Sequence, residues 1–253
     1  MTDEQSSGAP PVVVAETIAI FGATGRTGKE TLKLALSRGY KVRALVRNVK
    51  KLADIITTDP NNDDSLVTIE GSFEDMTKLE QVFSTPVEYV ICMASAPPPS
   101  DDNTTYPPDF MLNFVQKLQS VLDKQIQKPK VLLYQAGSMS TDGNGYLHPM
   151  AQVSKHTLGR KLNIFPKIHD NDTAIQYLAK HTARMAEKES DDGMHLIVTR
   201  AGVLKDKPSE RELVVSSWPP MPIMYYATYA DLAKFSLDAL KNKDLYDTCP
   251  FVR

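Results

Sequence analysis

Six short apolar runs, each followed by a stretch of helical periodicity, recur along most of this 253-residue chain, and that alternation constrains the fold more than any other feature. The runs fall at 17–21 (TIAIF), 41–47 (KVRALVR), 66–71 (LVTIEG), 89–94 (YVICMA), 130–136 (KVLLYQA) and 195–202 (HLIVTRAG). Helical patterns are expected at 25–38, 75–83, 109–126, 173–188 and 229–241. Strands this continuously apolar belong to a parallel sheet covered on both faces, because a strand with one wet face alternates apolar with polar residues. The expectation is one α/β domain over 16–253, a doubly wound sheet with a small loop region on its substrate side, after a loose N-terminal tail at 1–15. A chain 42% hydrophobic can bury such a core without a second domain.

Between the first run and the first helix lie Gly22, Gly25 and Gly28, in FGATGRTGKE. A strand that turns straight into a helix leaves the N–H groups of the helix's first turn free, and that end attracts anions. Gly22 permits the tight turn, Gly25 lets a pyrophosphate reach the backbone, and Gly28 lets helix and strand approach closely. Thr24, Arg26 and Thr27 add donors. This Rossmann-like arrangement implies a dinucleotide. At the end of the second strand, where a carboxylate would bind the adenine ribose of NAD, stands Arg47, with Lys50 and Lys51 close behind. Three cations suit a 2′-phosphate, so NADPH is the expected cofactor; a solvated basic helix start is the plainer reading.

The formal charge of −2 and pI near 6.2 give no global field for nucleic acid or an anionic membrane surface. Two cysteines, Cys92 and Cys249, neither form a disulfide framework nor show metal-ligand spacing, so no metal is expected. No apolar run is long enough to cross a bilayer, and the polar, acidic opening does not read as a signal peptide. A cytoplasmic protein is expected; an organellar transit peptide removed beforehand stays open.

The stretch IAIFGATGRTGKETLKLALSRGYKVRALVRN resembles the opening of atypical short-chain dehydrogenase/reductases with an NAD(P)-binding, NmrA-like domain, the group that includes flavin reductase/biliverdin-IXβ reductase. The resemblance continues through GSFED, through QYLAKHTARMAEKESDDGMHLIVTRAGVLKDKP and through TYADLAKFSLDAL. It implies that Ser72 and Phe73 lie near the adenine and that the backbone of Ala94 and Ser95 faces the cofactor. Family members often carry paired serines after the fifth strand and a tyrosine four residues before a helical lysine. Here LLYQAGSMS displaces Ser138 and Ser140 into the loop, and Tyr177 precedes Lys180 by three positions, with His181 at four.

Hydride transfer from a nicotinamide needs an acceptor stacked on the ring and a proton source nearby. Tyr177 and Lys180 share a helix face, and an ammonium beside a phenol would lower its pKa; Ser138 could hydrogen-bond the acceptor oxygen. Equally, Tyr177 could be a core residue and Lys180 a ribose ligand. Two functions therefore stand: an NADPH-dependent oxidoreductase acting on a small hydrophobic or planar acceptor, and a non-catalytic NADP(H) sensor or scaffold. The apolar segment at 218–226 could roof a substrate, meet a protein partner or join two copies of the chain. Tyr146 and His148 read as loop residues, and Cys92 and Met93 as core.

Overall fold

The computed structural model describes residues 15–56, 65–96, 108–186, 193–220 and 226–253. Its strands are β1 (Thr17–Phe21), β2 (Lys41–Val46), β3 (Leu66–Glu70), β4 (Tyr89–Cys92), β5 (Val131–Gly137), β6 (His195–Ala201), β7 (Val203–Lys205), β8 (Val215–Ser216), β9 (Tyr226–Thr228) and β10 (Phe251–Val252). Eight of them form one sheet in the order β3-β2-β1-β4-β5-β6-β10-β8, all parallel except the edge strand β8. The short strands β7 and β9 pair separately.

Helices α1 (Arg26–Ser37), α2 (Ala53–Ile56), α3 (Met76–Val82), α4 (Phe110–Asp123), α5 (Pro149–Ser154), α6 (Phe165–Ala186) and α7 (Tyr229–Ala239) cover the sheet. Along β1 the side chains alternate between two cores: Ala19 and Phe21 pack with α3, α4 and α6, whereas Ile18 and Ile20 pack with α1. Both faces are dry, which is why no polar residue interrupts the strand. Helix α1 stops where Gly39, at φ 79°, takes the left-handed conformation. The N–H groups of Gly39 and Tyr40 then reach back to Leu36 and Ala35, satisfying the last carbonyls. Helix α7 starts with a capping box between Thr228 and Asp231.

The six expected strands are all present, with ends shifted by a residue or two. Helix α6, however, begins at Phe165, two turns ahead of the expected start at 173. The long loop after β5 contains α5 and a π-helical turn at Lys155–Gly159. The expected tail up to 14, most of the proline-rich loop (97–107) and 221–225 lie outside the described residues. Neighbours β2 and β4 lie on opposite sides of β1, so the chain order reverses there and opens a crevice beyond the carboxyl ends of the strands.

Candidate functional site

The glycine turn sits in that crevice. Gly22 adopts φ 83°, and a Cβ on it would come within 2.6 Å of the Ala94 nitrogen, so only glycine lets the turn lie against the end of β4. A Cβ on Gly28 would overlap the Gly22 carbonyl, which explains the close approach of α1 to β1. Gly25 differs. It is exposed, has ordinary extended dihedrals at the N-cap of α1, and a Cβ there would meet only the Gly22 oxygen, at 3.2 Å. Helix α1 has no side-chain cap and no acidic residue in its first turn, so its leading N–H groups face open space. A helix start left bare above a glycine that leaves room for a ligand fits a pyrophosphate.

Two cavities meet over this turn, sharing Gly25, Met93, Ala94 and Ser95. The smaller, about 380 Å³, has Gly22, Thr24, Arg47, Lys51, Ser72 and Phe73 on its walls. Phe73 is fixed by stacking on Phe114 at 4.0 Å. Asn48 caps a 3₁₀ turn, accepting the Lys50 N–H at 2.9 Å, and that turn carries Lys51 to the wall while Lys50 stays off it. The nearby carboxylate of Glu74 is held by Lys117 at 2.8 Å, and Asp54 by Lys29 at 3.2 Å. Among the described residues Arg47 has no ion pair, so its exposed guanidinium is available to a ligand.

The larger cavity, about 550 Å³, opens over β4, β5 and β6. Its walls hold Arg26, Thr27, Ser138, Ser140, the start of α6 and, from the segment between α5 and α6, Leu158, Leu162 and Ile164. That segment is pinned down in two places. Gly159 is buried, and a Cβ on it would sit 3.3 Å from Ile168. Lys155 pairs with the buried carboxylate of Asp172 at 2.5 Å, and Asp172 also accepts the Thr141 N–H at 2.8 Å. From α6 come Lys167, Ile168 and Asn171; from the start of α7 comes Tyr229, with the Arg26 guanidinium 4.8 Å above its ring. Burial, with Arg26 close by, holds the Lys167 ammonium below the usual lysine range.

Tyr177 and Lys180 do not line either cavity, which corrects the expected catalytic pair. The cause is the early start of α6: Tyr177 lies about 15 Å along the helix from Lys167, toward the far edge of the sheet. Its ring packs on the core shared with α4 and stacks on His181 at 4.0 Å. Burial, helped by Asp123, raises its pKa, opposite to the expected lowering by an ammonium. Lys180 is exposed and lies three residues farther along the helix, on neither cavity wall. Tyr146 is exposed, and His148 caps α5 by accepting the Met150 N–H. Cys92 is buried, its thiol pushed up to about 12 by desolvation, in keeping with a core role. Trp218 is exposed beside His148, ring centroids 4.8 Å apart, and most of the apolar segment that follows it lies outside the described residues.

Sequence reasoning missed Lys167, Asn171 and Tyr229. Pro166 was the available signal, since proline favours a helix's first turn and would have moved the start of α6 to the sheet's carboxyl edge. For Tyr229, the Thr228 to Asp231 capping box marks a helix start at the same edge.

A family model described as NAD(P)H-binding matches residues 22–243. The chain belongs to this NAD(P)H-binding family. An uncharacterised chloroplastic protein of Arabidopsis thaliana is 33% identical over 207 residues, covering 80% of this chain and 64% of that protein, so the chain spans somewhat less than two thirds of its relative. Among solved structures, ChuY, an anaerobillin reductase from Escherichia coli O157:H7, is similar at a TM-score of 0.63 with 13% identity, covering 93% of this chain and 96% of that one. A short-chain dehydrogenase/reductase from Veillonella parvula in complex with NADP gives 0.60 and 17%, covering 94% of each chain. Gre2 from Candida albicans, in complex with NADPH, gives 0.65 and 12%, covering 94% of this chain and 78% of that one. At such identities these structures share the fold of this family member. Among the described residues no helix is long and apolar enough to cross a membrane, and no cluster of side chains could hold a metal.

Proposed function

We propose that this protein is an NADPH-dependent oxidoreductase that reduces a small, largely apolar acceptor in the larger cavity. One observation carries the reading: the groove leads from Arg47, which has no ion pair among the described residues, past the bare start of α1, into a chamber of about 550 Å³. NADPH, when bound, supplies a hydride. Arg47 and Lys51 would hold its 2′-phosphate, the first-turn N–H groups of α1 and Arg26 its pyrophosphate, and Ser72 and Phe73 would flank the adenine. The backbone at Ala94 and Ser95 borders both cavities and would support the nicotinamide end. Around the chamber, Leu158, Leu162 and Ile164 supply an apolar wall for the acceptor. The Ser138 hydroxyl would orient the acceptor oxygen. Tyr229 offers the phenol that the expected Tyr177 does not, and its O–H would give up the proton, to be replaced from solvent.

Paired calorimetric titrations with NADPH and NADH, followed by NADPH oxidation against quinones, flavins and aldehydes, test this. Tighter binding of NADPH together with turnover of one acceptor class is expected. Tight binding without turnover would favour a sensor or scaffold, a reading supported by the distance of Tyr177 and Lys180 from the chamber. Composition favours the cytoplasm, while the plant relative is chloroplastic; imaging the tagged full-length protein separates the two.

A further inference from the structure

We infer that the acceptor carries a carboxylate, held in the chamber by Lys167 and Asn171 from one face of α6. This rests on the reading of the chamber as the acceptor site. The two residues stand at i and i+4, where one helical turn brings side chains onto the same face, and both line the larger cavity and not the smaller. Among the described residues Lys167 meets no carboxylate; the charge nearest to it in effect is the Arg26 guanidinium, of the same sign. A cation drawn partly out of water beside another cation favours an anion, and none of the described residues supplies one.

Asn171 adds an amide to the same cavity wall. It is 7% exposed, and its Oδ1 accepts the Tyr134 O–H at 2.7 Å. Tyr134 is fully buried and burial keeps its phenol protonated, so the O–H must find an acceptor, and Asn171 is the one it has. That bond orients the amide, and no side chain or backbone group among the described residues accepts from its N–H groups. Tyr134 is thus a positioning residue. An ammonium and an amide NH₂ on one helix face, with no acceptor for them among the described residues, are complementary to the two oxygens of a carboxylate. The remaining wall, with Met139, Leu158, Leu162, Ile168 and Leu204, suits an apolar body. The cofactor's own anion already has the start of α1 and Arg26, whereas Asn171 lies a helical turn farther along α6 than Lys167.

The test is calorimetric titration of the NADP-saturated protein with naphthalene-2-carboxylate and its neutral isostere naphthalene-2-carboxamide. Wild type should prefer the carboxylate by about ten- to a hundredfold, the worth of a charge-assisted contact. Lys167→Met should abolish the preference and Lys167→Arg should keep it. Asn171→Asp, which still accepts from Tyr134 but presents a like charge, should reverse it. Tyr134→Phe should weaken it while the neutral isostere binds as before. Equal affinity of wild type for the two probes, or a preference that survives Lys167→Met, would overturn the inference. So would a Lys167→Met protein whose NADPH affinity falls along with the preference, because the ammonium would then serve the cofactor. The oxidoreductase reading fails separately, if NADPH does not bind or no acceptor turns over, whatever the two probes do.

Discussion

Replacing Gly25 with valine should weaken NADPH binding while sparing the fold, whereas replacing Gly28 with alanine should destabilise the fold itself. At Gly25 the dihedrals, φ −75° and ψ 166°, suit any L-residue, and the nearest atom to a new Cβ is the Gly22 oxygen at 3.2 Å. The fold loses a modest N-cap, worth about 1 kcal/mol, which in a domain of this size lowers Tm by about 2–4 °C. The ligand loses more. The branched side chain stands where the pyrophosphate would meet the first-turn N–H groups, and charge-assisted hydrogen bonds contribute about 1.5–3 kcal/mol each. Loss of one or two of them weakens NADPH by at least about tenfold. A Cβ at Gly28, by contrast, collides with the backbone of Gly22, which is itself wedged against Ala94, so neither partner can move aside. Calorimetry measures the affinity, and circular dichroism melts measure the fold. A well-folded Gly25→Val protein with wild-type NADPH affinity would refute the placement of the pyrophosphate.

Arg47→Asp should weaken NADPH about ten- to a hundredfold and leave NADH nearly unchanged, measured by paired titrations at two salt concentrations; equal losses would make Arg47 a solvated surface charge. Tyr229→Phe should lower kcat with little effect on NADPH affinity, whereas Tyr177→Phe should leave steady-state kinetics near wild type. Equal effects of the two substitutions would undo the assignment of the phenol. Because burial, and then Arg26, depress the Lys167 pKa, its charge is present below that pKa and lost as pH rises through it, short of the ordinary 10.5. Carboxylate affinity should therefore decline over that alkaline window in wild type and stay flat in Lys167→Arg, whose guanidinium remains charged.

The sheet was legible because burial on both faces of β1, β2, β4, β5 and β6 removes polar residues from the strands, and the glycine turn was legible because its chemistry is local. The position of Arg47 on the wall of the smaller cavity was legible for the same reason: it lies a fixed distance along the chain from the turn. The chamber was not. Its walls come from β5, α6, the π-helical turn and α7, which only the tertiary fold brings together. The tyrosine and lysine at nearly the family spacing, Tyr177 and Lys180, lie on α6 away from the chamber wall. Strands β7 to β10 are two or three residues long and leave no periodicity to read.

A crystal structure of the protein with NADPH bound tests the central claim most directly. The account predicts the 2′-phosphate on Arg47, the pyrophosphate over Gly25, and the nicotinamide between Ala94 and the chamber wall, facing Ser138, Asn171 and Tyr229. A nicotinamide turned out toward solvent, or a 2′-phosphate that avoids Arg47, would contradict it.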